Sequence, residues 1–240
     1  MLPVVERDWI VKKNYSVLFL GKSNSQYVER ALSFCQRNFV DVQTGLGIFG
    51  QDDLPEDLRW WKGDYIFSYL SPWIIPDGLL ERANRAALNF HPASPDYPGI
   101  GCYNFALYDE VDTYGATCHH MAKEVDAGDI VAVKTFRVFP TDTVESIFKR
   151  TQDHLLSLFY DVMEFVLSDK QLPTSSEKWK RKPYTRRDLN QLATITPDMT
   201  AAEIERRVRA TTFEGWRPKV ELHGFVFELK GKGGSATTRS

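Results

Sequence analysis

The 240-residue chain is poor in cysteine, nearly balanced in charge and free of long apolar runs. Its three cysteines, Cys35, Cys102 and Cys118, are an odd set without metal-type spacing, which fits a reducing cytoplasm. Thirty Lys and Arg against 32 Asp and Glu leave a formal charge of −2. That balance gives no general attraction to nucleic acid or to a membrane surface. No apolar run approaches the roughly 20 residues that a spanning helix needs, and no secretory signal is visible. A cytoplasmic protein is expected, meeting its substrate there. No internal repeat is visible. The hydrophobic share of 42% and the charged share of 26% are those of an ordinary globular protein. The length suffices for one large domain, or one medium domain with a small appendage.

What is present is patterned. Residues 1–14 read as a loose arm or an edge strand. Tyr15–Leu20 is a short apolar run that suits a buried parallel strand. Gly21-Lys22-Ser23-Asn24-Ser25 breaks it, and Tyr27, Ala31, Leu32 and Cys35 then recur at helical spacing. Phe39–Gln43 and Asp64–Leu70 are further candidate strands. Ile75–Ala86 reads as a helix, and Ala87–Phe90 as the strand that follows it. Strands alternating with helices imply α/β: a Rossmann-like, mostly parallel sheet with helices on both faces and ligands at the strands' carboxyl ends. Ile130–Val138 alternates as a strand. Thr143–Leu167 is a periodic helix, capped by Thr141 or Thr143, with Val144, Ile147, Leu155, Leu158, Phe159 and Val162 among its buried positions. The polar stretch from Asp169 marks a boundary, giving a main domain over 1–168 and a small C-terminal subdomain over 169–230. In that subdomain Ala201–Ala210 looks helical, and Lys219–Leu229 reads as a hairpin turning at His223-Gly224. A Gly/Ser/Thr-rich flexible tail is expected over 231–240.

The stretch with most chemistry is Asn89-Phe-His91-Pro-Ala-Ser-Pro-Asp-Tyr97-Pro-Gly99-Ile-Gly101. Its three prolines and two glycines read as a stiff, shaped loop. If Asn89 ends a strand, alternation points the Asn89 and His91 side chains the same way. An amide then sits beside a group that titrates near neutral pH. Downstream, Gly115-Ala-Thr-Cys-His119-His120-Met leads to Asp126-Ala-Gly128, a tight turn whose carboxylate can orient an imidazole.

Three other patterns invite function. Gly45-x-Gly47-x-x-Gly50 matches a dinucleotide fingerprint, but acidic Asp52 and Asp53 follow where a pyrophosphate would sit. A flexible loop is expected instead. His119 and His120 invite a metal reading with His91 or Cys118, yet neighbours in a strand face opposite sides, so no metal is expected. Lys178–Arg187 is the most basic run, with Trp179 and Tyr184 interleaved. It can bind nucleic acid, hold a nucleotide diphosphate with Tyr184 or Trp179 on the base, or be a solvated turn. Phe213 and Trp216 are candidate stackers or anchors for the hairpin.

The two motifs in this order, Asn-Phe-His-Pro-Ala-Ser-Pro with Tyr-Pro-Gly and then Gly-Ala-Thr-Cys-His-His-Met with Val-Asp-Ala-Gly-Asp, resemble the N10-formyltetrahydrofolate-dependent formyltransferases. Within them the chain is most similar to bacterial sugar N-formyltransferases acting on nucleotide-linked 4-amino-4,6-dideoxyhexoses. The resemblance covers roughly residues 15–168 well and the remainder loosely. It implies a catalytic trio of Asn89, His91 and Asp126, with Asn89 on the developing oxyanion, His91 carrying the proton and Asp126 stabilising the imidazolium. It implies a folate slot at Ser71-Pro72-Trp73-Ile74-Ile75, closed on its other side by Lys123–Asp126. His119 becomes a buried support. Lys22, Ser23 and Asn24 resemble an acceptor-phosphate loop at a helix start. Tyr97, Lys182, Tyr184 and Trp216 complete the expected acceptor contacts. The implied co-substrate is N10-formyltetrahydrofolate without a metal. The implied partner is a dTDP- or GDP-linked amino sugar for O-antigen. The C-terminal subdomain is expected to supply nucleotide contacts, a homodimer interface, or both, since its hairpin has exposed edges that pairing can satisfy. The alternatives are methionyl-tRNA or another amine as acceptor, water as acceptor, or a silent binding module. The tRNA reaction would want a longer chain and a basic face.

Overall fold

The computed structural model describes residues 11–229, so the start of the expected N-terminal arm and the 231–240 tail lie outside the described residues. Strand β1 (Lys13–Lys22) carries Val17–Leu20, all at 0% exposure, because both of its faces are covered. Helix α1 (Gln26–Asn38) follows, with the Ser25 hydroxyl accepting from the Val28 N–H. Strand β2 (Phe39–Gly47), a 3₁₀ turn (Asp57–Trp60) and strand β3 (Gly63–Tyr69) come next. Then come the one-turn helix α2 (Asp77–Leu80) and strand β4 (Ala83–His91). Helix α3 (Cys102–Tyr108) and strands β5 (Thr113–His120) and β6 (Ile130–Arg137) precede the long helix α4 (Val144–Leu167). The Thr143–Ser146 capping box starts α4.

The main sheet runs β2-β1-β3-β4-β5-β6. Its first four strands are parallel, and β5 is antiparallel to both β4 and β6. One face packs on α1 and α4 through Phe19, Phe67, Leu88, Phe90 and Phe159. The other holds Leu18, Leu20 and Ile66 under Leu58, Trp61 and Leu79 from the shorter elements. Helix α5 (Arg186–Leu192), strand β7 (Thr194–Ile195), helix α6 (Ala201–Thr211) and the hairpin β8 (Lys219–Leu222) and β9 (Phe225–Glu228) complete the chain. Strands β7-β8-β9 form a small second sheet, and Leu189, Leu192 and Ala210 pack with Tyr97, Cys102 and Phe105. The hairpin turns at His223 (φ 50°) and Gly224 (φ 82°), the paired positive values of a type I′ turn.

Three expectations change. The helix expected over Ile75–Ala86 shrinks to α2, because residues from Ala83 onward pair with β3 from Gly63. Ladder bonds and burial outweigh the helix preference of Leu, Glu and Ala. Gly45 and Gly47 are the end of β2 rather than a flexible loop. The Trp73 ring lies against them, and a Cβ on Gly47 would stand 2.4 Å from its Cζ2. These glycines admit an indole, which gives the motif a packing cause. Helices α3 and α5 went unforeseen, being short and lacking a strong periodic face.

Candidate active site

Side-chain alternation splits β4 between two jobs. Leu88 and Phe90 enter the core under α4, so Asn89 and His91 point to the opposite face. The pairing register then sets a polar row across three strands, Ser68 opposite Asn89 opposite His119. Ser68 Oγ donates to Asn89 Oδ1 at 2.8 Å, which turns the amide nitrogen toward His119 Nε2, 3.0 Å away. The same nitrogen lies 3.4 Å from Asp126 Oδ1.

Asp126 arrives on the β5–β6 connection with φ 47°. The turn presses so close to β5 that a Cβ on Gly128 would stand 1.8 Å from the His120 carbonyl oxygen, so only glycine fits. The carboxylate is buried and lies between two imidazoles, His91 Nδ1 at 3.4 Å and His119 Nε2 at 3.3 Å. The Gly99 N–H donates to its Oδ2 at 2.8 Å. Burial pushes the Asp126 carboxyl up, but the His91 charge, the His119 hydrogen bond and the Gly99 amide outweigh it and hold it at about 2. The carboxylate therefore stays ionised.

The carbonyl partners fix the protons. His119 Nδ1 lies 2.8 Å from the His120 carbonyl, which only accepts, so Nδ1 carries hydrogen. Neutral His119 must then accept from Asn89 at Nε2; protonated, it donates to Asp126 and leaves that Asn89 N–H free. His91 Nε2 donates to the Tyr97 carbonyl at 3.1 Å, so its Nδ1 needs a proton to face the carboxylate favourably. Both His91 nitrogens thus face protein acceptors, and passing a proton to a ligand requires one contact to open.

The cluster opens on a pocket of about 470 Å³. Ser71, Pro72, Trp73, Ile74 and Ile75 line it, with Lys123 at its rim 3.9 Å from the Asp77 carboxylate. An apolar slot ending in a cation fits a flat conjugated ring with an acidic tail. Trp73 also donates its indole N–H to the Asp52 carbonyl at 2.8 Å.

The expected acceptor contacts are scattered. Lys22, Ser23 and Asn24 end β1 without lining the pocket, and the Ser23 N–H is taken by the Gly47 carbonyl at 2.8 Å. Tyr97 is buried, donating its hydroxyl to Asp109. Tyr184 lines the pocket, but Phe105 covers one ring face at 3.5 Å and the Arg181 guanidinium lies over its ring at 3.4 Å. That filled sandwich overturns the expectation of a base stacked on Tyr184. Trp179 is equally committed, set edge-on to His91 and His119. Lys182 is exposed outside the pocket lining, and Trp216 anchors the hairpin side against Phe213 and its neighbours. Thr185 and Arg186, from the basic run, line the pocket, and so do Ser68 and Phe49, which no pattern in the sequence assigns to a site. Of those two only Ser68 has a signal, a hydroxyl inside an apolar strand.

Fold and site together define an α/β protein with a half-buried amide, two buried imidazoles and a buried carboxylate at the mouth of a mostly parallel sheet, an arrangement suited to acyl transfer. Residues 50–163 match the formyl transferase family. The curated bifunctional polymyxin resistance protein ArnA of Wigglesworthia glossinidia brevipalpis is 26% identical over 168 residues, covering 67% of this chain and 26% of that protein. The matches span between a quarter and a half of the curated relatives' lengths. A sugar N-formyltransferase from a Shewanella species has the same fold, with a TM-score of 0.71 at 17% identity over 90% of this chain and 96% of that one. So has an N-formyltransferase from Helicobacter canadensis solved with folinic acid and dTDP-3-aminofucose, at 0.67 and 16% over 87% and 84%. Among the described residues no helix is long and apolar enough to cross a membrane, and no cluster of metal-ligating side chains occurs.

Proposed function

We propose that this protein transfers a formyl group from N10-formyltetrahydrofolate to the 4-amino group of a dTDP- or GDP-linked 4-amino-4,6-dideoxyhexose. The product would feed surface polysaccharide such as O-antigen, in the cytoplasm. The single observation that carries the chemistry is Asp126 held between His91 and His119, with the Asn89 amide 3.4 Å from the same carboxylate. The fold shared with sugar N-formyltransferases supports the acceptor class.

The folate, when bound, supplies the formyl carbon and its leaving nitrogen. Asn89 donates to the oxygen on which negative charge grows, and Ser68 keeps its amide turned for that task. His91 holds the proton that leaves the incoming amine and returns it to the leaving nitrogen. A neutral His91 becomes an imidazolium on taking that proton, and Asp126 stabilises the charge until the proton is returned. Trp73, Ile74 and Ile75 hold the flat ring, and Lys123 faces the acidic tail. Arg186, which lines the pocket, would take a nucleotide diphosphate with the exposed lysines of 178–182. In this reading two copies pair through the β8–β9 hairpin.

The test is tetrahydrofolate release measured against a panel of amino-sugar nucleotides. Turnover with a 4-amino-4,6-dideoxyhexose nucleotide is expected. No turnover with any of them, together with activity on methionyl-tRNA, would overturn the acceptor.

A further inference from the structure

Residues 179–184 lie outside the matched family segment, yet they tie together both loops that build the site. Lys180 N–H donates to the Pro95 carbonyl at 3.1 Å, Tyr184 N–H to Pro98 at 2.9 Å, and Ile100 N–H to Tyr184 at 2.9 Å. That stitching fixes the loop whose Gly99 N–H holds Asp126. At the other end, the Trp179 indole N–H donates to the Gly128 carbonyl at 2.8 Å, in the turn that carries Asp126. The same indole stands perpendicular to the His119 ring, 5.0 Å between centroids, and at 71° to the His91 ring, 5.9 Å away.

We propose that Trp179 is a positioning residue that fixes both imidazoles against Asp126. The proposal rests on the formyl-transfer reading for its kinetic test only. His119 holds the His120 carbonyl at 2.8 Å and His91 the Tyr97 carbonyl at 3.1 Å, but the contacts to Asp126 are long, 3.3 and 3.4 Å, and leave each ring able to tilt about its carbonyl bond. The indole supplies the missing wall. It blocks rotation of both rings, keeps water from the carboxylate, and anchors the Asp126 turn through Gly128. Without it each imidazole gains rotational freedom and hydration, and the proton-carrying nitrogen spends less time aligned.

Trp179→Ala and Trp179→Phe decide the matter. Misalignment of reacting groups costs up to about 10²-fold in rate. Trp179→Ala is expected to lower kcat by about 10- to 100-fold while KM for folate and acceptor stays within about threefold. Trp179→Phe, which keeps the wall and loses the bond to Gly128, should recover most of that loss. Imidazole ¹⁵N spectra of the ligand-free protein should show the His91 and His119 signals displaced or broadened in Trp179→Ala and close to wild type in Trp179→Phe. Wild-type kcat and unchanged ring signals in Trp179→Ala would overturn the proposal. So would equal losses in both variants that follow their thermal destabilisation. If Trp179→Ala does not fold, Trp179→Met takes its place in the same comparison. Failure of the wild type to turn over any acceptor would sink the formyl-transfer reading and leave the ring signals to decide the role of Trp179.

Discussion

Two regions of this chain break the usual rule of polar outside and apolar inside. At the end of β4, His91, His119 and Asp126 are 5%, 2% and 7% exposed. On the β8–β9 hairpin, Phe225, Val226 and Phe227 are 69%, 60% and 55% exposed. The first violation is resolved within the chain, since every buried polar atom of the cluster meets a partner. The second is not, because nothing among the described residues covers those rings. A buried polar cluster held together at such cost points to chemistry, and an open apolar ribbon points to a surface awaiting a neighbour. The same contrast separates how the two regions tolerate change.

The largest effect should come from emptying the buried cluster. Asn89→Ala, His91→Ala and Asp126→Ala are each expected to stay folded and lose about 10²–10³-fold or more in turnover. Near-normal rates in any two would remove the site. Next comes His119→Asn, which cannot take up the proton that frees the Asn89 N–H. Its turnover should fall about 10- to 100-fold, the worth of one hydrogen bond to a charged group. Unchanged turnover would show that His119 only packs.

A smaller effect concerns stability in acid. The folded Asp126 carboxyl sits at about 2 against an ordinary 3.8. A depressed pKa stabilises the fold above the ordinary value and loses that contribution as pH falls through the folded one. Wild type should therefore lose about 2 kcal/mol from this group between about pH 4 and pH 2, and Asp126→Asn should not. Parallel acid-unfolding curves for the two would refute it. The smallest stability change belongs to the hairpin. Phe225→Ser with Phe227→Ser should alter monomer stability by no more than about 1 kcal/mol, while sedimentation is expected to give a dimer for wild type and a monomer for the variant. A wild-type monomer, or a variant that remains dimeric, would break the comparison at that end.

Much of the site was legible before any coordinates. Asn89 and His91 two apart at a strand's end, and Asp126 in an Asp-Ala-Gly turn, are local patterns with local causes. Lys178–Arg187 shows the opposite. Its aromatics read as base-stacking candidates, and they are spent on Phe105, Arg181 and two histidines. Apart from Arg181, these partners come from distant parts of the chain, and no spacing records which ring face stays open.

The sequence by itself determined the alternation of strands and helices, the long capped helix α4, the hairpin turn, and the local patterns that bring Asn89, His91 and Asp126 forward as candidates, because each depends on neighbours within a few residues. Tertiary structure decided the register that sets Ser68, Asn89 and His119 in one row, the sharing of Asp126 between two imidazoles, and the wall that Trp179 builds against them. Those depend on strand pairing and on contacts across dozens of residues, where geometry rather than local preference selects which side chains meet.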